Sequence, residues 1–246
     1  MGGLLALDFD GVICDGLMEY FATAWRTYQG VWGHRALPPD LDQQFYRLRP
    51  VIETGWEMPV LIHALCLGMP EGQLFSQWRT VAQDLITQQG ITALELGTIL
   101  DQLRDEWITE DLASWLALHR FYPGVVARLQ QPEVAVVIIT TKEGRFVQAL
   151  LEQGGLDFDP AQIFGKERKQ SKPEILRTLH QDYAQIWFVE DRLLTLQAVR
   201  DRTLPTKLYL ADWGYNTELE RKTAQCDPRI HLLNLATFGQ SCTTWP

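Results

Sequence analysis

The chain has 246 residues, of which 46% are hydrophobic and 22% charged, a composition typical of one large soluble domain or of a core with an insertion. Its net charge of −9 argues against a general binder of nucleic acid or anionic membranes. No segment reaches the roughly 20 apolar residues of a membrane span, and the first residues lack the basic region of a signal peptide, so a cytoplasmic location is expected.

Short apolar runs predict strands that are buried on both faces, because they are rich in β-branched residues or leucine and lack strict alternation. They are Leu4–Phe9, Val134–Thr140, Ile186–Glu190, Lys207–Leu210 and, more weakly, Ile230–Leu233. Helical patterns separate them at Arg145–Gln153, Lys172–Leu179 and Leu193–Arg200. Strands that alternate with helices indicate βαβ units and a parallel α/β sheet.

Residues 17–120 interrupt this alternation with helical patterns alone. They are Leu17–Tyr28, Asp40–Leu48, Pro59–Leu67, Gly72–Gln88, Leu94–Ile108 and Glu110–His119. The sequence therefore predicts a core made of residues 1–16 and 121–246, with an all-helical domain of residues 17–120 inserted after the first strand.

Two aspartates, Asp8 and Asp10, follow the first predicted strand, and Gly11 allows a tight turn after them. Residues two apart on an extended strand point the same way, and here they would face the crevice in which α/β sheets bind ligands. Two carboxylates in such a place repel each other unless a cation holds them ionised, and a divalent metal is the first candidate. The alternative is a pair of solvated loop aspartates.

Polar residues also follow the later strands. Thr140 ends the second strand and has the hydroxyl to bind a phosphate oxygen, although a threonine there can equally cap a helix. Lys172 begins a helix and can neutralise a phosphate, although most lysines are simply solvated. Glu190 and Asp191 end the IWFVED strand as natural ligands for Mg²⁺, or as the N-cap of the next helix. Together these residues place acid, hydroxyl, lysine and acid along one edge of one sheet.

In these motifs the sequence resembles the haloacid dehalogenase superfamily, in its phosphoglycolate-phosphatase-like branch. LALDFDGVICDG is similar to the first family motif, VVIITTKEGRF to the second, KPEIL to the third and WFVEDRLLTL to the fourth. FYPGV and LADWGYN are smaller similarities. The resemblance covers nearly the whole chain and implies a doubly wound, Rossmann-like parallel sheet with a helical C1-type cap domain.

The resemblance also implies a mechanism. Asp8 would be the nucleophile that forms an aspartyl-phosphate, and Asp10 the acid that protonates the leaving alcohol and then activates water. Thr140 would hold the phosphoryl oxygens, and Lys172 would offset charge in the transition state. Lys172 is preferred to the nearby Lys166 and Lys169 because of its Lys-Pro match.

The metal implied by the resemblance is Mg²⁺, held by the Asp8 carboxylate, the Asp10 backbone carbonyl and Asp191. The fourth motif departs from the family pattern, because Thr195 stands where a second aspartate is usual. Glu190 stands where many relatives have glycine or aspartate, and it is expected to complete the metal site.

The expected substrate is a small phosphorylated metabolite. Thr141 and Lys142, beside Thr140, are predicted to contact it, as are Arg47 and Arg49 of the segment RLRPVIETGWEMP. The alternative for the two arginines is a surface loop between helices. No lysine occurs between residues 11 and 141, which argues against a phosphonate-cleaving enzyme with a Schiff-base lysine in the cap.

The sequence thus predicts a Mg²⁺-dependent phosphatase that acts on a phosphomonoester. Two alternatives stay open. A non-catalytic binding or assembly protein with the same fold would explain Thr195 and the long helical insertion, and a phosphosugar mutase would share the aspartyl-phosphate step. The sequence does not indicate the oligomeric state.

Overall fold

The structure is a computed structural model that describes residues 2–202 and 204–246. It divides into two compact units. The first combines the chain up to Asp15 with Arg120–Pro246, and the second is Gly16–His119.

The strands of the described chain all belong to the first unit. They are β1 (Gly3–Leu7), β2 (Cys14–Asp15), β3 (Arg120–Phe121), β4 (Ala135–Ile139), β5 (Ile163–Phe164), β6 (Gln185–Glu190), β7 (Lys207–Ala211) and β8 (Ile230–Leu233). Six of these form a parallel sheet in the order β5-β4-β1-β6-β7-β8, while β2 and β3 pair antiparallel. Because the six strands run the same way, their carboxyl ends share one edge of the sheet.

The helices of the second unit are α1 (Leu17–Trp32), α2 (Leu41–Leu48), α3 (Glu57–Cys66), α4 (Glu71–Gln89) and α5 (Ala93–Leu116). Those of the first unit are α6 (Val125–Gln130), α7 (Gly144–Gln153), α8 (Lys172–Leu179), α9 (Leu193–Asp201), α10 (Glu218–Gln225) and α11 (Leu235–Phe238). None of these helices, within the residues described, is both long and apolar enough to cross a membrane.

The sheet is covered on both faces. Residues Leu4–Leu7 of β1 are each at most 1% exposed, and successive residues of a strand point to opposite faces. On one face, Ala6 and Phe188 pack in a hydrophobic cluster with Leu176 of α8 and Leu196 of α9. This burial on both sides explains why the strands read as continuous apolar runs, and it confirms the predicted α/β sheet.

In the second unit, α1 packs against α3 and α5. Glu19 of α1 is completely buried, and its Oε1 accepts hydrogen bonds from Thr23 Oγ1 at 2.6 Å and from Arg104 Nε of α5 at 2.8 Å. The buried Glu19 charge thus has a partly buried cation beside it, and this ion pair links α1 to α5.

The last helix of the second unit is interrupted close to the predicted break. The sequence patterns predict two helices separated at Thr109, and α5 (Ala93–Leu116) indeed consists of two helical runs, separated by the non-helical Asp111 (φ −153°, ψ 76°). The Oδ1 atom of Asp111 accepts a hydrogen bond from the Ser114 amide at 3.0 Å, in the manner of an N-cap. The helix is therefore interrupted two residues later than predicted, and it restarts at once.

Candidate active site

The candidate site lies at the carboxyl edge of the sheet, where β4, β1 and β6 are neighbours. Leu7, the last residue of β1, is level with Ile138 of β4 and Val189 of β6. Asp8 directly follows Leu7, and Glu190, the last residue of β6, directly follows Val189. Because Leu7 and Val189 are paired, Asp8 lies next to Glu190. The Asp8 amide donates to the Val189 carbonyl at 2.9 Å, which extends the sheet pairing up to the site.

Asp8 is buried, with 7% of its surface exposed. Its Oδ1 atom accepts a hydrogen bond from the Phe9 amide at 2.7 Å and lies 2.8 Å from Lys172 Nζ. Burial, and secondarily the negative charge of Glu190, raise the pKa of Asp8 to about 8, against the opposing effect of Lys172. The surroundings of this carboxylate thus carry too little positive charge to keep it readily ionised.

Lys172 is placed by the start of α8. The helix begins with a capping box in which Ser171 and Glu174 exchange hydrogen bonds, and Pro173 follows at an early position that suits proline. From there the Lys172 ammonium reaches Asp8 and also Oε2 of Glu190, at 2.7 Å. Burial opposes its charge, but the two carboxylates outweigh burial and raise the pKa of Lys172. Lys172 therefore stays protonated between two acids.

Glu190 has no exposed surface, and both of its carboxylate oxygens have partners. Oε2 pairs with Lys172, and Oε1 accepts from the amides of Asp191 at 3.2 Å and Arg192 at 3.0 Å. Desolvation raises the pKa of Glu190, and the Lys172 charge acts in the opposite direction. These contacts make Glu190 an anchor for Lys172 and for the turn that carries Asp191.

Asp191 is held by the loop that follows β7. Its Oδ2 atom accepts a hydrogen bond from the Tyr215 amide at 2.7 Å, and its backbone carbonyl accepts one from Asn216 Nδ2 at 3.0 Å. Two glycines make room for it. A Cβ atom on Gly11 would lie 2.1 Å from Asp191 Oδ2, and one on Gly214 would lie 2.3 Å from Asp191 Cβ. The position of Asp191 thus requires glycine in two loops that are far apart in sequence.

Asp8, Glu190 and Asp191 form a group that suits a metal ion. Each offers a carboxylate oxygen, and the three atoms lie within 4.8 Å of one another while all three residues are buried. Their charges exceed that of Lys172, and carboxylate oxygens are the ligands that Mg²⁺ prefers. The donor set therefore fits a hard divalent cation, which would supply the positive charge that the raised pKa of Asp8 indicates is lacking.

Thr140 and Asp10 line the neighbouring part of the edge. Thr140 is 6% exposed, its amide donates to the Phe164 carbonyl at 3.0 Å, and its Oγ1 atom accepts from the Lys142 amide at 3.1 Å. Lys142 then extends its ammonium to within 3.3 Å of Asp10 Oδ1. Thr141, which lies between Thr140 and Lys142 in the sequence, is exposed.

Comparison with known proteins identifies this architecture. No protein-family model matches the sequence, and no curated protein sequence matches it. Solved structures do match. One is a predicted phosphatase from Clostridium acetobutylicum, with a TM-score of 0.60, 13% identity and 97% of each chain covered. Another is a predicted phosphoglycolate phosphatase from Haemophilus somnus, with a TM-score of 0.59, 17% identity, and coverage of 93% of this chain and 92% of that chain.

A third match is a haloacid dehalogenase-like family hydrolase from Streptococcus pneumoniae, with a TM-score of 0.57, 14% identity, and coverage of 94% of this chain and 93% of that chain. This chain has the haloacid dehalogenase-like fold. The predicted fold class is thereby confirmed. At such low identity the likeness establishes the fold, and the reaction has to be argued from the residues of the site.

The four segments that resemble the motifs of the haloacid dehalogenase superfamily meet at the carboxyl edge of the sheet. Asp8 and Asp10 come from the first segment, Thr140 from the second, Lys172 from the third, and Glu190 with Asp191 from the fourth. Contacts link these residues within two groups. Lys172 joins Asp8 to Glu190, and Lys142 joins the Thr140 turn to Asp10.

Arg47 and Arg49 lie in the second unit and have partners there. Arg47 forms a bidentate ion pair with Glu71, with its Nη2 atom 2.6 Å from Glu71 Oε1. Arg49 donates from Nη1 to the Ile52 carbonyl at 3.1 Å, and its guanidinium lies over the Tyr20 ring at 5.0 Å. Their role in substrate binding stays a prediction.

The sequence reasoning missed the contribution of Gly214, Tyr215 and Asn216 to the site. The similarity of LADWGYN to the family pattern was the available signal, but it assigned no role to these residues. Thr195, where the family usually has a second aspartate, lies partly buried in the first turn of α9. In this chain Asp191 is held by hydrogen bonds from the Tyr215 amide and the Asn216 side chain, in the loop that follows β7.

Proposed function

We propose that this chain is a Mg²⁺-dependent phosphatase that hydrolyses a small phosphomonoester through an aspartyl-phosphate on Asp8. The observation that carries the proposal is the convergence of Asp8, Glu190 and Asp191 on one buried point beside Lys172. A buried cluster of three acids and one lysine is costly unless it binds something, and its chemistry suits a cation together with an anionic substrate.

In the first step Asp8 attacks phosphorus. Its contacts with Phe9 and Lys172 fall on Oδ1, which leaves Oδ2 to form the new O–P bond. As this bond forms, the bond from phosphorus to the alcohol oxygen breaks, and Asp10 gives its proton to that oxygen. The products of the step are the free alcohol, the phosphorylated Asp8 and the ionised Asp10.

In the second step water displaces Asp8 from phosphorus. The Asp10 carboxylate takes a proton from the water molecule as the water oxygen bonds to phosphorus. The O–P bond to Asp8 then breaks, so that inorganic phosphate leaves and both aspartates return to their starting states. The same residue thus acts as acid and then as base, as the reversal of the proton transfer requires.

Three other groups support these steps. Mg²⁺ held by Asp8, Asp191 and Glu190 would supply the positive charge that lets an anionic substrate approach an ionised nucleophile. Lys172 holds Asp8 by its Oδ1 atom and offsets negative charge on the phosphoryl group. Thr140 is proposed to hold the phosphoryl oxygens through its hydroxyl, because its own amide and that of Lys142 already donate elsewhere.

Hydrolysis of 4-nitrophenyl phosphate tests the proposal, measured with and without Mg²⁺. We expect turnover that requires Mg²⁺ and falls to background in Asp8→Asn. The matched control is Asp84→Asn, which makes the same change at an exposed position of α4 and should keep full activity. Undiminished turnover in Asp8→Asn would overturn the proposal.

The same assays separate the alternatives. A phosphosugar mutase would convert a sugar phosphate into its isomer without releasing inorganic phosphate in proportion. A non-catalytic assembly protein would show no turnover on a broad panel of phosphate esters, and its complexes would form equally well in Asp8→Asn. A small phosphorylated metabolite as substrate and a cytoplasmic location stay predictions.

A further inference from the structure

The two aspartates of the first motif have different lysine partners. Lys172 lies 2.8 Å from Asp8 Oδ1, and Lys142 lies 3.3 Å from Asp10 Oδ1. Lys172 already has a role implied by the third family motif, whereas Lys142 was predicted only to contact the substrate. We propose that Lys142 is a positioning residue for Asp10, an inference that rests on the phosphatase function proposed above.

The Asp10 side chain needs such a partner. Its Oδ1 atom is buried and accepts no hydrogen bond from the described part of the chain. The ammonium of Lys142 is the opposite charge beside it. The Asp10 side chain is 17% exposed, and because Oδ1 is buried this exposure lies on its other atoms, which include Oδ2. The Lys142 ammonium beside Oδ1 thus orients the carboxyl group, in its protonated and its ionised state alike, so that Oδ2 exchanges the proton.

Lys142 is itself held firmly. Its amide donates to Thr140 Oγ1 at 3.1 Å, and its carbonyl accepts from the Lys166 amide at 3.0 Å. Its side chain is only 9% exposed, and its ammonium lies against Asp10. A general acid is effective only when its proton lies in line with the leaving oxygen, so the loss of this restraint should slow the leaving-group step specifically.

The dependence of rate on the leaving group tests the proposal, using kcat/KM for phenyl phosphate and for 4-nitrophenyl phosphate. Phenolate is the more basic leaving group and depends more on the acid. We expect Lys142→Met to lower kcat/KM at least about tenfold for phenyl phosphate but only about twofold for 4-nitrophenyl phosphate, a fraction of the total effect of a general acid. Lys142→Arg, which keeps a cation, should recover most of the loss.

Two comparisons separate positioning from direct substrate binding. In the Asp10→Asn background, Lys142→Met should cause no further loss, because the group that it positions is gone. The affinity for inorganic phosphate, measured by calorimetry in the presence of Mg²⁺, should be unchanged in Lys142→Met. Equal losses on both esters, a further loss in the Asp10→Asn background, or weaker phosphate binding would each show that Lys142 binds the substrate instead. Lys222→Met, on an exposed pair with Glu218, is the control for removal of a lysine.

A structural measurement tests the proposal without turnover. Crystal structures of the wild-type chain and of Lys142→Met should show the Asp10 carboxylate in different orientations. An unchanged carboxylate in the variant would overturn the positioning role even if the wild type proved to be an active phosphatase. Conversely, a reoriented carboxylate in a chain without phosphatase activity would support the role of Lys142 while refuting the proposed function.

Discussion

Lys172 Nζ lies 2.7 Å from Oε2 of Glu190, a carboxylate with no exposed surface. We expect Glu190→Gln to lower the free energy of unfolding by about 3 kcal/mol, because glutamine has only one acceptor oxygen, so either the Lys172 ammonium or the two backbone amides would face a buried NH2 group. Lys172 keeps its contact with Asp8, so the loss should fall at the lower end of the range for buried pairs. Urea unfolding followed by tryptophan fluorescence measures it.

The control for this change is Glu71→Gln in the second unit. Glu71 pairs with Arg47, whose side chain is 54% exposed, and such a pair contributes little in water. We expect no measurable change in stability for this control. Similar small effects in the two variants would mean that the Lys172–Glu190 pair contributes no more than a surface pair.

The close approach of Gly11 to Asp191 gives a second prediction. Gly11→Ala should cost about 2–5 kcal/mol, since the backbone at φ +84° disfavours any side chain and the new Cβ would collide with Asp191 Oδ2. Gly124→Ala isolates the backbone effect, because Gly124 has φ +80° with open space around its Cβ position, and about 1–2 kcal/mol is expected there. Equal losses of stability in the two variants would show that Asp191 moves aside without a cost in free energy.

A third prediction concerns the buried pair of the second unit, Glu19 and Arg104. Arg104→Met should destabilise the chain by about 3–5 kcal/mol, because Glu19 would keep a buried charge without its cation. The double variant Glu19→Gln/Arg104→Met should be more stable than Arg104→Met alone. Chemical denaturation of the wild type, both single variants and the double variant gives the coupling between the two residues. Strict additivity of the two changes would contradict the prediction.

A fourth prediction concerns Glu133 and acid stability. Desolvation opposes its charge, but hydrogen bonds from Ser241, Arg128 and the Cys242 amide outweigh it and lower the pKa of Glu133 to about 2. Because this pKa is below its ordinary value, the stabilisation is complete above about pH 5 and is lost as the pH falls towards 2. Glu133→Gln should therefore be less stable than the wild type at pH 7, and the difference should shrink between pH 5 and 3. Thermal unfolding across this range measures it, and a difference that is independent of pH would refute it. The exposed Glu110→Gln is the control.

The sequence predicts the elements of the first unit that bury apolar residues on both sides. β1, β4, β6, β7 and β8 match the predicted strands to within two residues, and α8 matches its prediction at both ends. The elements that were missed lack this signal. β5 has only two residues, and in α10 Ala224 alone is buried, so neither has an apolar pattern long enough to detect.

The residues of the site could be predicted from the sequence, but the contacts between them could not. The ends of the apolar strands indicate Asp8, Thr140 and Glu190 as site residues, because a charged or hydroxyl residue at the end of a buried apolar segment is unusual. The support of Asp191 by the Tyr215 amide could not be predicted, since a backbone donor looks the same at every position. The pairing of Lys142 with Asp10 depends on the order of strands β4 and β1, which an apolar pattern does not encode.

The antiparallel pairing of Asp15 with Arg120 means that the polypeptide leaves the sheet-based unit and returns to it at the same place. Residues 16–119 are therefore, in topological terms, one long insertion whose two ends are held together by the pairing of β2 with β3. A stretch of this kind can be lengthened, shortened or exchanged during evolution, or in the laboratory, without any strand of the sheet having to change its neighbours. Changes in the inserted residues therefore need not alter the residues at the strand ends.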